Sequence, residues 1–208
     1  GKGLAEIFKS LSTDATISGG QTMNPSIEEI LQAINSLPAE EIIILPNNPN
    51  VILTAQQAAE LSSKKVRVIP SRSIPQGISA LLSFNPEMSL EENVENMSEA
   101  LSHVRTGEVT VAVRSTQVEG IKVKEGQLIG LLDGKLVAVG ESPEEIVLRL
   151  LKEMKAEEGE LLTIYYGADV KEEEAQALGE KVREIFPNLN VEVLWGGQPY
   201  YHYIISLE

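Results

Sequence analysis

The sequence predicts an α/β protein of two lobes, the first with a mainly parallel sheet and the second with a mixed sheet. Three observations carry this reading. Up to residue 105, short aliphatic runs alternate with amphipathic helical stretches, the pattern left by a parallel sheet covered by helices. Beyond residue 106 the runs alternate apolar and polar positions, and a hairpin signal appears at Asp133-Gly134. The chain has 208 residues, enough for one large domain or two small ones. The expected division is therefore 1–105 and 106–208.

Taken in order, Leu4, Ile7, Phe8 and Leu11 recur at helical spacing and predict a helix over 3–12. "DATIS" reads as a short strand entering the loop "SGGQTMNPS". Ser26 followed by Glu29 is a capping-box pattern, ahead of an apolar stripe of Ile27, Ile30, Leu31 and Ile34. "EIIILP" reads as a strand buried on both faces, "VILTAQQAAELSS" as a helix, "KVRVIP" as a third strand and "ISALLSF" as another helix. Ser89 and Glu92 open a helix reaching about His103, and "RTG" reads as the break between lobes. The second lobe then runs strand "EVTVAVRS", hairpin "GQLIGLLDGKLVAVG" and helix "SPEEIVLRLLKEM", with Ser142, Pro143 and Glu145 as its start signal. Strand "LLTIYYG", helix "VKEEEAQALGEKVREIF" and strands "NVEVLWGG" and "YYHYIISLE" complete it.

Composition excludes several function classes. There is no cysteine, so disulfides, thiolate zinc sites and a cysteine nucleophile are ruled out, and a reducing cytoplasm suits the chain. The formal charge of −14 opposes binding to nucleic acid or an anionic membrane; it marks a solvated surface or a docking face for a basic partner. No apolar run approaches the roughly 20 residues that span a bilayer, so no integral membrane contact is expected. The N-terminus lacks a signal-peptide core and begins inside an amphipathic pattern, as a piece of a longer chain would.

In a parallel α/β sheet, the loops leaving the carboxyl ends of the strands gather on one rim, where ligands bind. Here that rim comprises Gly19, Gly20, Gln21, Thr22, Asn24 and Ser26, then Asn47 and Asn48, then Ser71, Arg72, Ser73 and Gln76. It offers neutral hydrogen-bonding groups and one cation, a binding or contact surface with no catalyst among them. Gly19-Gly20 lacks the lysine of a nucleotide phosphate loop and reads more simply as a tight turn. The two histidines, His103 and His202, fall in different lobes without further ligands at metal spacing. His103 ends a predicted helix, where it complements the dipole. The run "WGGQPYYHY" gathers Gln198, Tyr200, Tyr201 and His202 beside Trp195 in a chain only 4% aromatic, and suits either interface anchors or an aromatic cover over the core.

Several stretches carry a family resemblance: "GLAEIFKSL", "SGGQTMNPSIEEIL", "ILPNNPNVILTAQQAAEL", "VIPSRSIPQGISALLSFNP" and "WGGQPYYHYIISLE". Together they resemble the C-terminal region of bacterial DAK2-domain fusion proteins, the ATP-binding subunit of fatty acid kinase. The resemblance implies a DegV-like fold of two α/β lobes, lacking a strand that would precede Gly1. It implies no cofactor in this region, ATP and magnesium belonging to an N-terminal domain of the parent chain. A separate carrier subunit would present a fatty acid whose carboxylate becomes an acyl phosphate for phospholipid synthesis. Gln21 and Ser26 match a Thr-Ser-Gln-Pro-Ser-like loop that holds the head group in the carriers. Where the carriers have a His-Thr-Gly-Pro-Gly-like run, this chain has Gly196-Gly197-Gln198-Pro199-Tyr200-Tyr201, with bulky tyrosines in place of small residues.

The expected function is therefore a non-catalytic docking domain in the cytoplasm. Its partners would be the fatty-acid-carrying subunit and other domains of the parent chain, with homodimerisation left open. The alternative is a fatty-acid or small-acid binding domain that keeps a DegV-like pocket, with Arg72 facing the carboxylate. An independent hydrolase or kinase has no nucleophile and base pattern behind it.

Overall fold

A computed structural model describes residues 1–19 and 23–208. The chain divides into two units, one of Ile7–Val104 and one of Gly1–Glu6 with Arg105–Glu208. The expected lobe of residues 1–105 thus differs at its start. Gly1–Glu6 go with the later residues because Leu4 donates its N–H to the Gly196 carbonyl, 3.0 Å away. Gly3 makes that approach close: a Cβ there would lie 2.1 Å from the Trp195 carbonyl oxygen.

Helix α1 (Lys2–Ser10) opens the chain. In the unit of Ile7–Val104, helix α2 (Ile27–Ser36) starts at Ser26, whose Oγ accepts from Glu29 N–H while the Glu29 carboxylate accepts from Ser26 N–H. The reciprocal bonds hold the Glu29 carboxyl below its usual range. Strand β1 (Glu41–Ile44), helix α3 (Pro49–Leu61), strand β2 (Lys65–Val68), helix α4 (Ile74–Leu82) and helix α5 (Leu90–Ala100) follow, with a 3-10 turn at Leu101–His103. β1 and β2 pair in parallel, as the intervening helix requires. Ile30 and Ile34 of α2 pack with Val51, Ala55 and Ala58 of α3 over Ile42 and Val66. Each fully buried isoleucine in such a core stabilises it by roughly 1.5–3 kcal/mol.

"DATIS" is not a strand, and among the described residues this sheet has two members. Its residues are exposed, Ile17 to 42%, so the segment buries too little apolar surface to be held against a sheet edge.

The second unit contains strands β3 (Arg105–Val111), β4 (Thr116–Val118), β5 (Ile121–Val123), β6 (Leu128–Leu132) and β7 (Lys135–Gly140). Helix α6 (Pro143–Glu153), strand β8 (Leu161–Tyr166), helix α7 (Glu172–Ile185) and strands β9 (Asn190–Trp195) and β10 (Tyr201–Leu207) complete it. The six-stranded sheet has the order β7-β6-β3-β10-β8-β9, antiparallel except for the β8–β9 pair that α7 connects. Ile146, Val147, Leu150 and Leu151 of α6 and Leu178 and Val182 of α7 meet Val109, Leu162, Ile164 and Ile205 of the strands.

The units divide between Val104 and Arg105, where "RTG" begins, and "RTG" itself opens β3, with Gly107 letting Met154 and Leu150 at the end of α6 pack onto the strand. At Gly130 a Cβ would come 2.6 Å from Ile146 Cγ2. Asp133 and Gly134 both have positive φ, 48° and 80°, as a two-residue hairpin turn demands. The Asp133 carboxylate accepts from Thr106 N–H and its own N–H donates to the Thr106 carbonyl, tying the turn to β3. The β4–β5 hairpin, turning on Glu119 and Gly120, is an element the sequence reading passes over.

Candidate functional site

In the unit of Ile7–Val104, the loops after β1 and β2 meet at Asn47 and Ser71. Ser71 Oγ donates to Asn47 Oδ1 at 2.8 Å and accepts from Asn47 N–H at 2.9 Å. Ser71 is fully buried. Asn47 takes a left-handed backbone (φ 56°), which asparagine tolerates better than most residues. Its amide lies against Gly77, where a Cβ would stand 2.0 Å from Oδ1. The two strand-exit loops are thus fastened to each other and to the start of α4.

Three other polar rim residues, Ser26, Asn48 and Ser73, cap helices. Asn48 Oδ1 accepts from Asn50 N–H at 2.9 Å as the cap of α3. Ser73 Oγ accepts from Gln76 N–H at 3.2 Å as the cap of α4. Ser26 caps α2. Gln76 uses both ends of its amide, accepting from Arg72 N–H at 2.7 Å and donating to the Leu101 carbonyl at 3.3 Å. Each helix start leaves orphan N–H groups, and these side chains satisfy them. Arg72 is exposed and forms no ion pair with a described residue; Gly19 and Asn24 are exposed as well. Gly20, Gln21 and Thr22 lie outside the described residues.

In the other unit, the run from Trp195 to Tyr203 folds back on β8. Gly196 and Gly197 both donate their N–H to the Tyr166 carbonyl, at 3.0 and 3.1 Å. Gly197 has φ 60° and sits under the Trp195 indole, with 2.7 Å between a virtual Cβ and the ring. Gln198, expected on a contact surface, is instead buried, its Nε2 donating to the Tyr165 carbonyl at 3.0 Å. A turn that reverses direction beside β8 leaves backbone carbonyls needing donors, and the Gln198 amide supplies one. Tyr200 is 62% exposed with φ 70°, and its carbonyl accepts from Thr110 Oγ1 at 2.7 Å. Tyr201 and His202 are half-buried, and Tyr203 is buried in the core. Burial first, then Glu174 and Glu144, pushes the Tyr203 phenol up to about 12. The run therefore divides: Tyr203 and Gln198 build the interior, while Trp195 and Tyr200 present ring surface outward.

Sequence reasoning passes over one titratable group. Burial, reinforced by the Asp133 charge, raises the Glu108 carboxyl to about 7. Glu108 opens the alternating run "EVTVAV" and stands mid-way along β3. Among the described residues, no three His, Asp or Glu side chains gather as metal ligands, and no helix is long and apolar enough to cross a membrane.

The family model for the C-terminal region of fatty acid kinase A-like subunits matches residues 1–208. The chain belongs to that family. This fatty acid kinase A-like domain is 43% identical over 208 residues to protein YloV of Bacillus subtilis, covering all of this chain and 38% of that protein. It is 41% identical over the same length to uncharacterized proteins of Staphylococcus aureus, again covering 38% of them. The domain thus spans under two-fifths of the length of these relatives. Its fold is DegV-like. The TM-score is 0.67 at 13% identity to a DegV family protein from Corynebacterium glutamicum, covering 98% of this chain and 92% of that one. It is 0.63 at 17% identity to the Streptococcus pneumoniae fatty acid kinase B3 protein loaded with linoleic acid, covering 99% and 83%.

Proposed function

We propose that this domain is the non-catalytic docking part of a fatty acid kinase. It recognises the fatty-acid-carrying subunit, so that a separate ATP- and magnesium-binding domain of the parent chain can phosphorylate the acyl carboxylate in the cytoplasm. The observation that carries the reading is the use made of the polar rim. Ser26, Asn47, Asn48, Ser73 and Gln76 are committed to helix starts and loop ties, so this part of the rim is a fixed surface on which Arg72 is exposed. Family membership over the whole chain supports the kinase context. Rigid surfaces lose little conformational freedom on association, which favours protein contact.

The test is calorimetric titration of the 208-residue chain with a fatty-acid-loaded carrier subunit of the B3 type. Saturable one-to-one binding is expected; absence of heat and of co-elution at high concentration overturns the reading. Arg72 favours one alternative, a site for the carboxylate of a fatty or other small acid, since an exposed guanidinium without an ion partner among the described residues suits such a group. Under that alternative Arg72→Ala abolishes uptake of oleate by the isolated chain; unchanged uptake excludes the role.

A further inference from the structure

The β4–β5 ribbon is too small to hold a core of its own. It folds toward β7, anchored by Val123, which is 4% exposed. Between the ribbon and the β6–β7 hairpin remains a hollow of about 430 Å³. Val118, Val123, Ile129, Leu131 and Leu136 furnish apolar walls, and the volume falls within the roughly 300–1,000 Å³ typical of small-molecule sites.

Two cations border it. Arg114, after the end of β3, and Lys135, the first residue of β7, both line the hollow and are exposed. Neither forms an ion pair among the described residues. Glu119, at the ribbon's turn, is the one acid in the lining. Val113, beside Arg114, is 79% exposed, an aliphatic side chain left in water next to a cation. Apolar walls with two unpaired cations match a molecule that is itself divided, with a hydrocarbon chain to bury and an anionic head to pair.

We propose that this hollow binds a single-chain amphiphile with an anionic head, the class of fatty carboxylates and alkyl phosphates, with the tail on Val118, Val123, Ile129, Leu131 and Leu136 and the head between Arg114 and Lys135. The inference stands apart from the docking function and from Arg72, which belongs to the other unit.

The test uses the whole chain with its methyl groups isotopically labelled, titrated with monomeric dodecanoate and followed by NMR. The methyl signals of those five wall residues are expected to shift saturably. The double variant R114E/K135E, altering two exposed side chains, should keep its thermal midpoint and bind dodecanoate at least tenfold more weakly. Uncharged dodecanol should lose a similar factor with the unaltered chain. The proposal is overturned if the wall signals stay still, or if the double variant binds undiminished. It is also overturned if dodecanoate moves only signals of the Ile7–Val104 unit. Sedimentation of the chain with phosphatidylglycerol vesicles, while dodecanoate leaves the wall signals unmoved, would assign the basic rim to a bilayer surface instead.

Discussion

The two units put their polar residues to opposite uses. In Ile7–Val104, hydroxyl and amide side chains crowd the strand-exit loops; among the described residues, Asn48, Ser71, Ser73 and Gln76 bond backbone N–H groups and Asn47 bonds Ser71. In the six-stranded unit, the turns are shaped by backbone conformation at Asp133-Gly134, Glu119-Gly120 and Gly197, and its loose surface is aromatic or aliphatic. A polar loop is therefore not in itself evidence of a ligand. A short two-stranded sheet gives its loops little ladder to lean on, so side chains must fix them.

The largest effect is expected in the core of the six-stranded unit. Leu150→Ala removes a fully buried side chain from the α6–sheet contact and should cost about 2–5 kcal/mol in denaturant unfolding. A loss under about 1 kcal/mol would mean that this core collapses around the gap.

Glu108 gives the next effect, and its sign is set by direction. Its folded pKa lies near 7, above the ordinary carboxyl value of 4.5, so the folded state holds the proton more tightly. Its contribution to stability is greatest below the unfolded value and falls as pH rises from about 4.5 to about 7. Glu108→Gln should therefore stabilise the protein by roughly 1–3 kcal/mol at pH 8 and by little at pH 4. Thermal melts at both pH values check this; an equal gain at both would locate the effect in packing.

Ser71→Ala leaves the Asn47 N–H without its acceptor inside the fastened loops and should cost about 1–3 kcal/mol. Ser73→Ala, removing a helix cap, should cost about 1 kcal/mol. Arg72→Glu is the smallest change for stability, which should move by no more than about 0.5 kcal/mol. Affinity for the loaded carrier should nonetheless fall about tenfold, the equivalent of roughly 1.4 kcal/mol. If Arg72→Glu destabilises and Ser73→Ala weakens binding, the division between scaffold and contact residues is wrong.

Much of the architecture is legible because it obeys short-range rules. Ser26-Glu29 and Ser89-Glu92 form the reciprocal caps their spacing predicts, and Asp133-Gly134 turns a hairpin. At Ser142 the rule holds with a shift: its Oγ caps Glu145 N–H, but the Glu145 carboxylate reaches Glu141 N–H, one residue earlier than in a closed box. What fails is long-range. "DATIS" has strand-forming residues but no burial to hold it, which only its neighbours decide. Gly107 looked like punctuation and proves to be a place where Met154 and Leu150 come close. Gln198 looked like a polar contact residue and is an interior hydrogen-bond donor. Ser26, Asn48 and Ser73 were readable equally as caps and as ligand groups, since both tasks need a short side chain with an oxygen near backbone N–H groups. The hollow between ribbon and hairpin had no sequence signal, because its lining residues come from separate strands and share one hollow only in the folded sheet.

The pairing of Leu4 with Gly196 bears on how the molecule is made. One unit is continuous in the chain; the other is assembled from a first segment and a last one with the continuous unit between them. During synthesis from the N-terminus, Ile7–Val104 emerges complete and can fold as a body, since domains generally fold as units in that order. Gly1–Glu6 must wait until Trp195 and Gly196 leave the ribosome, and closing so long a loop is slow relative to local contacts. The six-stranded unit therefore becomes whole only once β10 has been made and has entered between β3 and β8. A nascent chain stalled before residue 201 would hold one finished unit and, in the other, open strand edges on both β3 and β8.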